Sequence, residues 1–474
     1  MIATTNEVDL EVFRRYAGLS LPRHVSYPMP SWWHEMNAEE AAALYQDSHR
    51  QTPGYDLSLY LHIPYCETLC KFCACNRVIQ RKASRGAAEN TERYVLALMR
   101  DIRATAATVE GKRTLRQIHW GGGSPSYLSI DQIQRIEHTI LDSFELAADA
   151  EIAMEIDPRT VGPEKLRQLR ELGFNRISFG VQDFDKQVQE HVRRVQPYEM
   201  VRDVVAACRD LRFDSVNFDL IYGLPYQTVE TVRNTVRAAL ALSPNRVAFY
   251  HYAQIPEKIA TQRGIDHTKL PDSETKLAMF LLALRLFEEA GYQFVGLDHF
   301  ARPDESLARA LKAGTLQRNF QGMSTGGDLR LLGVGVSAIT HLLDVGFLQN
   351  VKGVEDYVTR IEAGRSPVER GKRLSWDDCI RQALLNELYC TARIQPDNLE
   401  KRFDIRFVDY FADELDTLRE LESDGLVTVD ESGGVRVTHP LGRILMRNVA
   451  AVFDAYLDPT AYRNGQPACF STNA

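Results

Sequence analysis

Residues 57–76 read LSLYLHIPYCETLCKFCACN. The first seven, Leu57–Ile63, form an apolar, β-branched and aromatic run that predicts a buried strand, and Pro64 ends it. The cysteines that follow therefore lie in a loop at the C-terminal end of a strand. Cys66, Cys70, Cys73 and Cys75 are spaced four, three and two residues apart. That spacing lets one short loop fold around a compact, soft metal centre, because thiolates select zinc, copper(I) or iron–sulfur clusters.

Working outward, five further short apolar runs follow, each trailed by a segment of helical length. They are Gln117–Trp120, Glu151–Ile156, Arg176–Phe179, Ser215–Ile221 and Arg246–Tyr252. The amphipathic stretches between them include Asp131–Phe144, Pro163–Leu172, Tyr198–Leu211 and Val229–Ala241, with Pro163 suited to a first helical turn and Gly173 to a helix end. Strands alternating with helices indicate parallel βαβ units. Six such units in about 200 residues, where an eight-unit barrel takes about 250, predict a partial (β/α)6 barrel. Chemistry in such folds collects at the C-terminal strand ends.

Residues 1–45 read as an N-terminal arm, rich in proline and carrying Trp32 and Trp33, and residues 46–360 as the barrel with its extension. Residues 361–474 predict a mostly helical, winged-helix-like domain. Ser375 with Asp378 opens a helix over Asp377–Ala392, a second covers Asp409–Ser423, a hairpin follows (Leu426–Val429 and Val435–Val437), and a last helix spans Leu441 to Tyr456.

The chain has 474 residues, 44% of them apolar and 25% charged, with a formal net charge of −8. Such a chain has no global basic field for nucleic acid or anionic lipid. The winged-helix-like part has an acidic stretch besides: across Val408–Asp424, the acids Asp409, Asp413, Glu414, Asp416, Glu420, Glu422 and Asp424 are opposed only by Arg419. Phosphate would be repelled, so nucleic acid is not an expected partner. The start, MIATTNEVDLEVFRRYAG, lacks the pattern of a secretory signal, and no apolar run reaches 18 residues. A soluble cytoplasmic protein, not inserted in a membrane and monomeric, is expected. The remaining cysteines, Cys208, Cys379, Cys390 and Cys469, are scattered, unlike a disulfide framework.

Three readings of the clustered thiols compete: bystander thiols, a structural zinc site and an iron–sulfur cluster. Structural zinc typically uses two separated ligand pairs, and no second pair or Cys/His knuckle follows. The Cys-x3-Cys-x2-Cys spacing resembles the radical S-adenosylmethionine superfamily. That resemblance implies that Cys66, Cys70 and Cys73 hold a 4Fe–4S cluster with one open iron, which S-adenosylmethionine chelates. One electron from the cluster then yields methionine and a 5′-deoxyadenosyl radical.

With Cys75 and the preceding Tyr60-x-His62-Ile63-Pro64, the loop resembles the oxygen-independent coproporphyrinogen III oxidases. The likeness continues through His119–Pro125, Glu155–Arg159, Gly180–Phe184, Asp219–Pro225, Asp298–Pro303, Asn319–Gly322 and Gly333–Ile339. It implies a radical S-adenosylmethionine oxidoreductase of heme and porphyrin biosynthesis, converting two propionates of coproporphyrinogen III to the vinyls of protoporphyrinogen IX. It also implies two S-adenosylmethionine molecules. Tyr60, Gly122, Glu155 and Ile339 would bind the first, and Phe72, Gly123, Ser124, Gln182, Arg194, Asp219 and Ala253 the second. A tetrapyrrole substrate, an electron donor and an electron acceptor are the implied partners. Cys75 is not expected as a ligand, since a fourth thiolate closes the open iron, and a place beside the substrate suits it. His62 and His119, lying in strands, read as core residues. Arg23, Arg77, Arg81, Lys82, Arg302 and Arg318 are candidate partners for the substrate carboxylates. Alternatives are a related radical enzyme acting on another tetrapyrrole by heme ring opening or methyl transfer, a heme-binding chaperone of the superfamily, and a zinc-stabilised regulator.

The likeness is imperfect in the arm. Family members carry Pro-Arg-Tyr-Thr-Ser-Tyr-Pro, where this chain has Pro22-Arg23-His24-Val25-Ser26-Tyr27-Pro28. The changes at His24 and Val25 fall where the arm is expected to touch substrate or close the site.

Overall fold

The computed structural model describes residues 8–51, 54–111, 114–327 and 329–457; Cys469 lies outside them. The chain folds as two compact units. One comprises Trp33–Asp219 and Gly326–Leu374, the other Met1–Trp32, Leu220–Thr325 and Ser375–Ala474. A linear boundary near residue 360 falls ahead of the strand Val368–Arg373, which pairs with Gly346–Asn350 inside the first unit.

All six expected strands are present: β1 (Leu57–Ile63), β2 (Thr114–Gly122), β3 (Glu145–Ile156), β4 (Arg176–Gln182), β5 (Ser215–Tyr222) and β6 (Arg246–His251). Their helices are α1 (Ala87–Thr108), α2 (Ile130–Ser143), α3 (Pro163–Glu171), α4 (Tyr198–Asp210), α5 (Val229–Leu242) and α6 (Ser273–Glu289). Local chemistry sets the helix ends. Ser129 and Gln132 form a reciprocal capping box at α2, Pro163 occupies the first turn of α3, and Gly173 follows it at φ +97°.

In the first unit β1 to β4 run side by side and parallel, in registers that place Tyr60 beside His119, His119 beside Ala153, and Glu155 beside Ser178. Beyond β1 the strand Arg330–Val334 is also parallel, and Gly333 sits opposite Tyr60. Antiparallel strands Ile339–Leu342, Gly346–Asn350 and Val368–Arg373 extend that side. Side chains alternate along a strand. In β4, Ile177, Phe179 and Val181 are buried while Ser178, Gly180 and Gln182 occupy the other face. The matching face of β3 carries Ala153 and Glu155, and that of β5 carries Asn217 and Asp219. One apolar face thus packs the core, and one polar face spans five strands.

In the second unit β5 ends, β6 follows it, and the antiparallel strands His299–Ala301 and Gln293–Val295 complete the order. The C-terminal part has the expected layout: a helix Trp376–Thr391 opened by the Ser375/Asp378 capping box, a helix Ala412–Ser423, and strands Val427–Val429 and Val435–Val437 paired antiparallel. Three departures stand out. A helix Pro396–Phe403 was not foreseen, since its proline start resembles a loop. The last helix is two short ones, Leu441–Ile444 and Met446–Val452, parted at Leu445. The arm is more regular than its prolines suggest: Leu10–Ala17 is a helix capped by Asp9, and Phe13, Leu21 and Tyr27 are buried.

At the altered arm position the His24 side chain turns inward. Its ring is buried, with Nδ1 2.9 Å from the Tyr389 hydroxyl and Nε2 2.9 Å from a carboxylate oxygen of Asp454. The residue ties the arm to the C-terminal segment. Several tail acids are likewise spent on internal ties, Asp424 with Arg15 and Glu414 with Arg381. Among the described residues no helix is long and apolar enough to cross a membrane.

Candidate active site at the strand ends

The polar face of the first unit brings together residues that lie far apart in the chain. The Tyr60 and His119 rings stack with centroids 5.9 Å apart. His119 Nε2 lies 3.0 Å from one oxygen of Glu155, and the backbone N–H of Gly122 donates to the other at 3.3 Å. Gly121 is wedged between Tyr60 and Glu155, so that a Cβ there would stand 3.0 Å from both side chains. On the other flank Gly333, opposite Tyr60, leaves no room for a Cβ against the backbone of Ile339. Tyr60, Gly122, Glu155 and Ile339 therefore share one locale. His119 is more than a core residue: it orients the carboxylate that sequence singled out.

The cysteine loop is fastened at both ends. The Asn76 carbonyl accepts from His62 Nε2 at 2.8 Å, which leaves Nδ1 to accept from the Tyr60 hydroxyl at 3.1 Å. Burial holds His62 neutral, as this arrangement requires. Val78 N–H donates to Pro64, Gln80 N–H to Cys66, and Lys71 N–H to Val192, at 2.7, 2.9 and 3.0 Å. From the end of β2, Gly123 N–H reaches the Ile63 carbonyl at 2.8 Å and Ser124 N–H that of Tyr65 at 3.0 Å. A Cβ on Gly123 would come within 2.6 Å of the Pro64 carbonyl oxygen, and one on Gly122 (φ +114°) within 2.8 Å of the His62 ring. Glycine is required at both positions for strand and loop to approach.

The thiols occupy one small region. Burial pushes Cys66 up to about 12, with the charges of Cys73 and Cys70 adding to it. A hydrogen bond shared with Cys75 draws the Cys73 thiol down, and the same bond holds the exposed Cys75 up. Cys70 is buried and accepts from two guanidinium groups, Arg194 Nη1 at 3.3 Å and Arg159 Nη2 at 3.7 Å. Asp157 lies between those arginines, 2.6 Å from Arg159 and 3.3 Å from Arg194. Burial alone would raise its carboxyl, but Arg194 and Arg159 offset this and hold it below the ordinary range. No sequence pattern marked Asp157 and Arg159 beyond their place in a motif.

Among the described residues no three His, Cys, Asp or Glu side chains converge as they would on a single metal ion. A cubane cluster asks for something different, because each thiolate meets its own iron. Three neighbouring thiols, with cationic donors on one of them, suit a cluster better than a lone zinc.

The remaining expected residues fall in two groups. Gln182 and Arg194 both pack against Gly180, whose carbonyl accepts from Arg194 at 2.6 Å. Asp219 accepts from Asn217 at 2.9 Å and Ser178 at 3.3 Å on the same polar face. Ser124 is buried beside Ser126, and Phe72 lies in the cysteine loop. Ala253 belongs to the second unit, two residues past β6, where its carbonyl accepts from Gln262. Of the cations suggested for substrate, Arg77 donates to the Cys75 carbonyl, Arg302 pairs with Asp304, and Arg81 and Lys82 are exposed.

Residues 60–239 match the model of the Radical SAM superfamily. A relative from Synechocystis, an oxygen-independent coproporphyrinogen III oxidase, is 42% identical over 96% of each chain. The protein of that name from Escherichia coli is 41% identical over 95% of each. The solved structure of coproporphyrinogen III oxidase (HemN) from Escherichia coli, described as a radical SAM enzyme, superposes with a TM-score of 0.87 at 39% identity, covering 95% of this chain and 99% of that one. With its α/β fold, its cysteine loop and relatives matched end to end, this chain belongs to the oxygen-independent coproporphyrinogen III oxidase family of radical SAM enzymes.

Proposed function

We propose that the chain catalyses the oxidative decarboxylation of coproporphyrinogen III to protoporphyrinogen IX without molecular oxygen, as a cytoplasmic step of heme biosynthesis. The observation that carries this reading is the end-to-end match to relatives of that activity, with the thiol triad standing over a polar strand face.

Cys66, Cys70 and Cys73 would hold the 4Fe–4S cluster, leaving one iron for S-adenosylmethionine. When bound, the cluster and S-adenosylmethionine supply the electron and the hydrogen-abstracting radical. The chain's own part is placement. Tyr60 and Glu155 offer an aromatic wall and an acceptor for hydroxyl or ammonium donors, with Glu155 steered by His119. Gly122 and Gly123 let backbone groups approach closely, and Ile339 closes the flank. A second S-adenosylmethionine would use Phe72, Gly123, Ser124, Gln182, Arg194, Asp219 and Ala253. Two propionates must react, which accords with two cofactor molecules. Each propionate loses one hydrogen atom from its β-carbon, carbon dioxide, and one electron to an external one-electron acceptor, leaving a vinyl group.

The test is an anaerobic assay with S-adenosylmethionine, a low-potential reductant and coproporphyrinogen III. Two vinyl groups per macrocycle are expected; cofactor cleavage with no vinyl product rejects the substrate.

A further inference from the structure

The second unit holds a cavity that none of the residues placed above accounts for. It opens where β5 and β6 finish: Tyr222 and His251, the last residues of those strands, both line it. Its walls carry four cations, Arg23, Lys276, Arg443 and Arg447, against one carboxylate, Asp298. That carboxylate lies 2.7 Å from Nδ1 of His299 and also meets the charge of Arg23, so it offsets only part of the four.

Three of the cations, the arginines, are held in place by backbone carbonyls. Arg23 donates to the carbonyl of His251 at 2.8 Å, Arg443 to that of Gly296 at 3.1 Å, and Arg447 to that of Pro22 at 3.3 Å. Carbonyl dipoles fix a guanidinium without neutralising it. Burial, followed by the charge of Arg23, pulls Arg447 down to about 9, and burial also lowers Lys276. Among the described residues neither buried ring nitrogen of His251 has a hydrogen-bond partner, and burial with Arg23, Lys276 and Arg447 keeps the ring neutral. Concentrated positive charge beside an unused imidazole is costly unless an anion completes it.

Size narrows the anion. The cavity holds about 50 Å³, room for a few water-sized groups and far below the roughly 300 Å³ or more of a site that engulfs a whole small molecule. It takes an arm, not a macrocycle.

We propose that this cavity is a carboxylate subsite that receives one propionate arm of the substrate, with Arg23, Lys276 and Arg447 as counter-charges and His251 as a neutral hydrogen-bond donor. The assignment rests on the tetracarboxylate substrate proposed above. The same chemistry would suit the amino-acid carboxylate of a bound S-adenosylmethionine, so the experiment separates the two.

Anaerobic holoenzyme is titrated with coproporphyrin, a tetracarboxylate, and with its uncharged tetramethyl ester, following fluorescence. Retained S-adenosylmethionine is counted in parallel. The wild type should bind the acid at least about tenfold more tightly than the ester, as expected for charge-assisted hydrogen bonds to a buried carboxylate. Lys276→Met and Arg23→Met should each remove most of that preference, and Lys276→Arg should restore it. Cofactor count and cluster absorbance should stay at wild-type values. An absent preference in the wild type, or an undiminished one in both variants, overturns the proposal. A lost cofactor molecule with the preference intact gives the cavity to S-adenosylmethionine and also overturns it. Failure of the broader reading is distinct: it is a wild type that makes no vinyl product, whatever its binding preference.

Discussion

Arg194 donates from Nη1 to the sulfur of Cys70 at 3.3 Å while the same guanidinium grips the Gly180 carbonyl at 2.6 Å. A residue expected only at the second cofactor thus also touches one of the three thiols proposed to hold the cluster. Hydrogen bonds and positive charge at a ligating sulfur favour the reduced cluster and raise its potential. Arg194→Met should lower that potential by about 50 mV, the one-electron equivalent of one hydrogen bond. A redox titration followed by electron paramagnetic resonance reads it; an unmoved midpoint confines Arg194 to cofactor binding.

The thiols should divide three to one. Cys66→Ser, Cys70→Ser and Cys73→Ser should each bring iron content after anaerobic reconstitution close to zero. Cys75→Ser should retain the brown absorbance at wild-type intensity. Equal loss in all four would make Cys75 a ligand and remove the open iron.

Glu137 of α2 is buried, and burial, only partly offset by the Trp120 indole, raises it from 4.5 to about 8. The folded chain therefore binds this proton more tightly than the unfolded one. Its stabilising effect is whole below about pH 4.5 and is lost as pH climbs through about 8. Glu137→Gln should remove that dependence and be more stable at pH 7 by up to about 3 kcal/mol, taking about 1.4 kcal/mol per tenfold change in proton affinity. Unfolding midpoints at pH 5 and pH 8.5 provide the comparison; parallel shifts in variant and wild type would refute it.

Removing the His24 ring strips the buried Asp454 of its partner at Oδ2 and leaves only the Tyr456 N–H at Oδ1. His24→Ala should cost about 3 kcal/mol or more, and His24→Ala with Asp454→Asn should recover most of it. Denaturant midpoints measure both. Substrate affinity should follow stability alone, because both ring nitrogens are engaged by Tyr389 and Asp454.

The strands, their order of appearance and the cysteine loop were legible because parallel buried strands leave apolar runs and a metal loop leaves a spacing. That Tyr60, Gly122, Glu155 and Ile339 would gather in one locale was legible through the motif resemblance. What escaped is what depends on register: that His119 reaches Glu155, that Asp157 stands between two arginines at Cys70, and that Gly333 admits Ile339 beside Tyr60. Pairing registers are set by packing across the sheet, which a linear pattern does not encode. The cationic cavity was hidden for a related reason: Arg23 was one candidate among several, and Lys276 and Arg447, far from it in the chain, each read alone as surface charge.

The lashing of residues 66–80 to β1, β2 and Val192 means that the seat is shaped by polypeptide before any iron arrives. Oxygen that strips the inorganic core should then leave an intact vessel, not a denatured one. Far-ultraviolet circular dichroism of air-exposed protein should match the anaerobic sample, and iron with sulfide should restore the colour without a refolding step. An enzyme so built can survive an aerobic interval and be recharged in place.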